Sequence, residues 1–478
     1  MSFATLLTDK QVARVHEASL EILEEVGLKV RYGPAREIFE QHGCLVEDDR
    51  VRFPRIVVEK YQKMYPPSFT FGARDPKFDK TIPQDSPVIV TASSAPDIID
   101  PVSGVERRAT SSDIAQIAHL INELPGYDVF SISTLADDAP ADQFTISRLY
   151  PALKHCLKPI RVTTTDHKDT ESVMKMAYMV AGGEEAYKEH PFLTHHYCPV
   201  VSPLTMDKLS TENVMFFARE GLPVYPTIVP NAGLTSPMSM AGTIAQGNAE
   251  FLAAATLMQI CKEGTPLIYA TLGTVADMRT GAYASGGIEC GMLHMAFAQM
   301  AHFYNVPCGG YIGLTNSKVN DAQAGYETGM SGIAGLLAGM DMFNIGGLID
   351  ALKTFNFAKA VIDDEIAQNF KRVNRGIAFD EDELAIPLIK ETGPGGSYIV
   401  YPHTIKRMKT EAILTKMADR DMRTIWEKKG ATDIDTRAMA KARALMTTNT
   451  EPLIPADLDE QLHAEFSGMI AGSLEPIP

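Results

Sequence analysis

Cysteine, positive charge and long apolar runs are all scarce in this chain. Six cysteines are scattered through 478 residues with no CxxC pair. That spacing supplies no disulfide framework, and it fits free thiols in a reducing cytoplasm. No span of about 18 to 20 residues is uninterruptedly apolar, so no membrane-crossing helix is expected. The opening MSFATLLTDKQVARVHEASLEIL lacks a positive region followed by an apolar core, so it does not read as a secretory leader. Acidic residues outnumber basic ones 60 to 44, for a net charge of -16. An acidic surface repels phosphate backbones and anionic lipid, which argues against nucleic acid or membrane as a partner. Familiar catalytic signatures are also missing. No GxGxxG follows a strand-like run, and neither GxxxxGK[ST] nor GxSxG occurs; GPGG (393–396) is a lone Gly-rich turn.

What is present is a rhythm. Eight short runs recur at near-regular spacing: PVIVTA (87–92), DVFSIS (128–133), IRVTTT (160–165), FLTHHY (192–197), VYPTIV (224–229), LIYATL (267–272), GGYIGL (309–314) and DMFNIG (341–346). Longer segments of helical character separate them, such as 111–124, 242–264 and 324–340. Strands alternating with helices imply right-handed crossovers and a parallel sheet, and eight such units predict a closed (β/α)₈ TIM barrel. The chain then divides into an α-rich extension (1–85), the barrel (86–375) and a C-terminal helical extension (376–478). In the last part, 423–446 reads as two amphipathic helices around a Gly turn, suited to packing on the barrel or to contact in a homo-oligomer.

Barrel enzymes carry their chemistry on the loops after each strand. Here most of those loops are long, polar and rich in Gly, Pro and Ser, beyond what connection requires. His195 and His196 point to opposite sides of the fourth run, so only one faces the interior. Either is a satisfied core histidine or a contact for a substrate carboxylate, a role also open to Asn231 and Asn316. An H-x-C such as His196–Cys198 binds zinc when a third thiolate or imidazole is near. Cys308 stands at the start of the seventh strand, just before its run, and should lie at the other end of the barrel, and Cys290 falls inside a helix. The aromatics Tyr197, Tyr225, Tyr269, Tyr283, Tyr311 and Phe355 are core residues or, ringed at one end, a cation–π box for a quaternary ammonium. Asn320 or Asp321 is placed to cap the helix after the seventh run. Glu327, on that helix, either orients the preceding loop or faces solvent.

Several longer stretches are distinctive: VARVHEASLEILEEVGLKV near the start, VRFPRIVVEKYQKMYPPSFTFGARDP (51–76), NSKVNDAQAGYETGMSGIAGLLAGMDMF (316–343), VIDDEI (361–366), HTIKRMKTE (403–411), and the W-x₃-G-x₂-D-x₂-TRA run (426–438). In these the chain resembles the trimethylamine methyltransferase family over nearly its whole length, and within it the members without pyrrolysine, the glycine betaine:corrinoid methyltransferases. The resemblance implies a (β/α)₈ barrel and methyl transfer from a quaternary amine, glycine betaine first among them, to cob(I)alamin. The cofactor, as cob(I)alamin or methylcobalamin, is then carried by a separate corrinoid protein, since this chain lacks the DxHxxG run of corrinoid carriers. No metal is expected on the chain itself. Trimethylamine enzymes of this family carry pyrrolysine in the barrel. The equivalent place here falls near Asn316, which makes Asn316 the candidate catalytic residue. His195, His196, Tyr197, Asn231, Tyr269, Tyr311, Glu327 and Phe355 are the candidates for binding substrate. Two rival readings remain at this stage: another barrel enzyme, such as a lyase or a zinc-dependent methyltransferase using His196 and Cys198, and a non-catalytic betaine-binding protein.

Overall fold

The computed structural model describes residues 3–477. Each of the eight runs overlaps a strand: β1 (Val88–Val90), β2 (Phe130–Ser131), β3 (Ile160–Val162), β4 (Leu193–Tyr197), β5 (Val224–Ile228), β6 (Tyr269–Thr271), β7 (Cys308–Gly310, starting one residue before its run) and β8 (Met342–Asn344). They pair in parallel in the order β1-β8-β7-β6-β5-β4-β3-β2. A parallel bridge between Val90 and Val129 closes the ring, with the amides of Val129 and Thr91 donating to Ile89 and Val129 at 3.0 and 3.1 Å. The fold is a (β/α)₈ barrel.

The helices following the strands are α1 (Ser111–Glu123), α2 (Phe144–His155), α3 (His167–Ala181), α4 (Lys208–Glu220), α5 (Met240–Cys261), α6 (Ile288–Phe303), α7 (Ala322–Leu337) and α8 (Phe357–Asn374). Their starts are set by short polar side chains that accept otherwise unpaired amides: Thr110 with Asp113 in a capping box, Asp166, Asp207, Asp321 and Asn356. Helix α5 is apolar nearly all round, so it must be covered on both sides. Its second cover is the N-terminal segment. Ser19, on the helix Asp9–Glu21, donates to the Ala245 carbonyl at 2.9 Å and accepts from the Asn248 amide at 2.8 Å.

The segment before the barrel carries more β-structure than its helical periodicity suggests. Leu28–Val30 pairs in parallel with Thr205–Met206 in the β4–α4 loop and antiparallel with Arg50–Arg52. A hairpin of Phe69–Phe71 and Lys80–Ile82 buries Phe69, Phe71 and Ile82 against Val88, Val129, Ile268 and Met342. It plugs the barrel at the N-terminal ends of the strands, and Phe69 meets Tyr225 edge-on at 5.7 Å. After α8 come short helices. Ile434–Leu445 buries Ala438 and Ala442, and Arg423–Lys428 precedes it across a turn with Gly430 at φ 97°. No described helix is long and apolar enough to cross a membrane.

The plug generates a stability prediction. Phe69→Ala removes a fully buried ring and leaves a cavity, so it should lower the unfolding free energy by about 3–5 kcal/mol. Chemical denaturation measures this; a loss under about 1 kcal/mol would show that the hairpin is not part of the barrel core.

Candidate functional site

Parallel partners share a face of the sheet, so the register decides which side chains point inward. Arg161 pairs with Ser131 and Thr194, and His196 pairs with Tyr225. This set faces the barrel axis. His195 pairs with Val162 and Val224 and faces the helices.

Above the inner residues, at the C-terminal ends of the strands, opens a cavity of about 510 Å³. Ser93 and Ser94 after β1, Thr163 after β3, His196 on β4 and Cys198 just after it, and Tyr311 after β7 line it, with Asp207 at the start of α4. Ser94 has φ 69°, in a region that a serine adopts only under local constraint.

The floor is built around Arg161, which is 1% exposed. Its Nε donates to Ser131 Oγ at 2.9 Å and one terminal nitrogen to the Tyr225 hydroxyl at 2.6 Å. The other donates to the Tyr311 hydroxyl at 3.0 Å and to Ser93 Oγ at 3.2 Å. Asn344, with its amide oxygen toward the guanidinium, accepts from both terminal nitrogens. Every partner is a neutral oxygen. Burial opposes the charge, but the Tyr225 and Tyr311 oxygens hold the guanidinium pKa above its ordinary value. Burial also pushes the Tyr225 phenol up to about 12 against the pull of Arg161. His196 lies between Thr163 and Tyr311, with ring nitrogens 3.3 and 3.4 Å from their oxygens. Burial first, then the Arg161 charge and His195, keeps its pKa well below 6.5, so the ring is neutral. The Cys198 thiol is pushed up to about 11 by burial and stays protonated at neutral pH, which removes it as a ready nucleophile.

The loops after β6 and β7 form a second tier. The Asn316 side chain accepts from the Gly286 amide at 2.7 Å and donates to the Tyr283 carbonyl at 2.8 Å, tying the two loops together. Glu327 accepts from the Asn316 amide at 2.8 Å and the Thr315 hydroxyl at 2.6 Å, so its carboxylate faces the loop. A side chain at position 286 would bring Cβ to 2.3 Å from the Glu327 carboxylate, so it would displace that carboxylate from its bonds to the loop. Asp321 caps α7, while Asn320 donates to Asn356 and Asp435 at 3.1 and 2.6 Å.

The structure thus gathers His196, Tyr197 and Tyr311 at the cavity, with Asn316 in an adjoining loop and Glu327 reaching that loop from α7. Asn231 sits in the β5–α5 loop, its amide donating to Thr235 at 3.0 Å and its side-chain oxygen buried without a partner. Three of the named residues lie elsewhere, each for a physical reason. His195 stacks on Phe217 of α4 at 3.7 Å. Tyr269 faces α5, stacking on Phe251 at 3.9 Å and donating to Asn248 at 2.9 Å. Phe355 is buried, edge-on to Phe357 and paired beside Ile98. The six aromatics accordingly do not form one ring. Among the described residues no group of three or more His, Cys, Asp or Glu side chains is placed to hold a metal. Cys308, whose amide is bound by Asp341 at the base of the barrel, is far from Cys198 along its strand direction. Arg161, Ser93 and Asn344 were not singled out by sequence reasoning, although Arg161 within IRVTTT carried a signal: a charge on a strand between apolar residues.

The outward histidine predicts a pH dependence. Burial pushes His195 down to about 3, against about 6.5 when unfolded. Below pH 6.5 the unfolded chain takes up the proton and the folded chain does not, so this contribution to stability is complete above pH 6.5 and declines as pH falls toward 3. His195→Phe should therefore lose about 2 kcal/mol less than wild type between pH 6.5 and 5 in chemical denaturation. Equal losses would show that His195 titrates alike in both states.

Comparison with known proteins bears on what this cavity serves. The family model for trimethylamine methyltransferase (MTTB) matches residues 1–468. A glycine betaine methyltransferase of Desulfitobacterium hafniense (strain Y51) is 33% identical over 462 residues, covering 96% of each chain. A trimethylamine methyltransferase MttB of D. hafniense (strain DSM 10664 / DCB-2) is 29% identical over 465 residues, covering 97% of this chain and 92% of that one. The trimethylamine methyltransferase MttB of Methanosarcina barkeri is 27% identical over 471 residues, covering 96% and 94%. With the whole barrel and both tiers of the mouth inside the matched region, the chain belongs to the trimethylamine methyltransferase (MttB) family of methyltransferases.

Proposed function

We propose that the protein transfers a methyl group from a quaternary amine, glycine betaine first among candidates, to cob(I)alamin on a separate corrinoid protein. The observation that carries the reading is the full-length match at 33% identity to a glycine betaine methyltransferase. The site chemistry supports it. A quaternary ammonium leaves as a neutral tertiary amine: the carbon–nitrogen bond breaks, its electron pair stays on nitrogen, and no proton is needed there. The mouth matches that requirement, because its imidazole is neutral and its thiol protonated, and the described residues present no nucleophile poised in its place. Cob(I)alamin supplies the nucleophile when the partner docks. This chain's task is to hold one methyl in line at the opening and to exclude water.

The rim suits a docking protein. Leu234, Met238, Met278 and Val319 are exposed on the loops after β5, β6 and β7, and Leu209 and Ile288 on the first turns of α4 and α6. The sulfurs of Met238 and Met278 both approach Gly233, so this part of the rim is one apolar patch. Contiguous exposed apolar surface around a concave site marks an interaction surface, and Met-rich surfaces adapt to a partner. The reading places the protein in the cytoplasm with its partner.

Two experiments test the reading. Purified protein with chemically reduced cobalamin and a panel of methyl donors should demethylate glycine betaine or a related quaternary amine and leave trimethylamine untouched, followed by the cobalamin spectrum. Turnover of trimethylamine with all quaternary amines inert would reject it. Asn316→Ala removes two hydrogen bonds between the mouth loops and should cost about 1–2 kcal/mol of stability. It should lower kcat by about tenfold or more, because small displacements of a reacting group are costly. Wild-type turnover in that variant would show that the inter-loop tie does not serve catalysis.

A further inference from the structure

A guanidinium buried in a barrel is normally matched by a carboxylate, since an unpaired interior charge is costly. Arg161 has none: its partners are Ser131, Tyr225, Tyr311, Ser93 and Asn344. These contacts satisfy its N–H groups without neutralising its charge. Two of the acceptors, Ser93 and Tyr311, also line the cavity. Because both oxygens accept from Arg161, their protons must point elsewhere. The two hydroxyls lie 3.0 Å apart, so one donates to the other and the remaining proton is left for the cavity or for neutral His196 at 3.4 Å. The floor is therefore a positively biased donor surface. At the rim of the same cavity lies Asp207, whose two oxygens accept the Leu209 and Ser210 amides at 3.1 and 2.8 Å. Positive charge below and negative charge above give the cavity a direction.

We infer that Arg161 makes this floor an anion subsite, so that the methyl donor is a zwitterion bound carboxylate-inward through Ser93 and Tyr311, with its trimethylammonium at the opening. Arg161 is thus a specificity-determining residue. A purely cationic amine meets its unscreened charge and is disfavoured, while a betaine supplies the missing counter-charge. The orientation also turns the methyl groups outward, where an acceptor protein can reach them. This inference rests on the quaternary-amine reading for its donor class, but the anion subsite can be tested without methyl transfer.

The experiment is calorimetric titration of three ligands: glycine betaine, choline, and 3,3-dimethylbutyrate, the carbon isostere of glycine betaine with the carboxylate and no ammonium. Wild type should bind glycine betaine at least tenfold more tightly than choline and should also bind 3,3-dimethylbutyrate. Arg161→Met should abolish both the preference and the isostere's binding. Ser93→Ala combined with Tyr311→Phe, which keeps the guanidinium, should weaken both anionic ligands at least tenfold without weakening choline; this variant decides the matter if Arg161→Met fails to fold. Equal wild-type affinity for betaine and choline, or an unchanged preference in the variants, overturns the inference. If the isostere binds in an Arg161-dependent way yet no quaternary amine yields its methyl group, the subsite stands and the methyltransfer reading falls. If choline proves as good a ligand and donor as glycine betaine, the reverse holds.

Discussion

The buried charge of Arg161 is the constraint around which the barrel mouth is organised. A guanidinium has five donors in one plane, and in a dry interior each needs an acceptor. Meeting that demand fixes side chains on five strands or strand ends at once: Ser93 after β1, Ser131 on β2, Tyr225 on β5, Tyr311 after β7 and Asn344 on β8. Tyr311 in turn sets the position of His196, and the Arg161 charge helps keep that imidazole neutral. Removing the charge would thus disturb the floor of the cavity as a unit, since members of one buried polar network do not act independently.

Such a floor needs a rigid base. The hairpin plug fills the opposite end of the barrel with Phe69 and Phe71, and Tyr225 takes part in both layers: its ring packs on the plug and its hydroxyl accepts from Arg161. The apolar core therefore holds the polar floor in register through a single side chain. Above the floor, precision is transferred to loops. Asn316 and Glu327 fasten the β6 and β7 loops to each other and to α7, while Leu28–Val30 braces the β4 loop from the N-terminal segment. The extension before the barrel thus contributes to the wall of the site and covers α5.

The eight strands were legible because barrel strands are short and regularly spaced, and each overlaps the run that announces it. The start of α7 was legible for the same kind of reason, since Asn320 and Asp321 are both caps by residue type and Asp321 takes the place. The strand Leu28–Val30 was not, because its partner Thr205–Met206 lies in a distant loop and three residues leave no periodicity to read. For the site, parity showed that only one of His195 and His196 could face inward, but parity alone could not say which. That required the register with Arg161 and Tyr225. Tyr269 and Phe355 were drawn toward the site by residue type alone, whereas their direction depends on which face of the strand or loop meets the helices. Arg161 escaped attention because a single arginine in a strand says nothing of its partners, and here the lack of an acidic partner is what matters.

The placement of charge also bears on rate. In methyl transfer from a quaternary ammonium, the positive charge on nitrogen disappears as the carbon–nitrogen bond breaks. A carboxylate held tightly against that nitrogen would stabilise the bound substrate more than the transition state and so slow the reaction. An anion subsite at Arg161 avoids this, because the substrate carboxylate keeps its charge throughout; binding there positions the donor without opposing the chemistry. Repulsion between Arg161 and the ammonium, present in the ground state, is relieved as that charge is lost, which favours the transition state. Asp207 at the rim is a weak clamp by comparison, since its oxygens already accept the first amides of α4. On the proposed reading, strong recognition falls on the end of the donor that does not react, and weak recognition on the end that does.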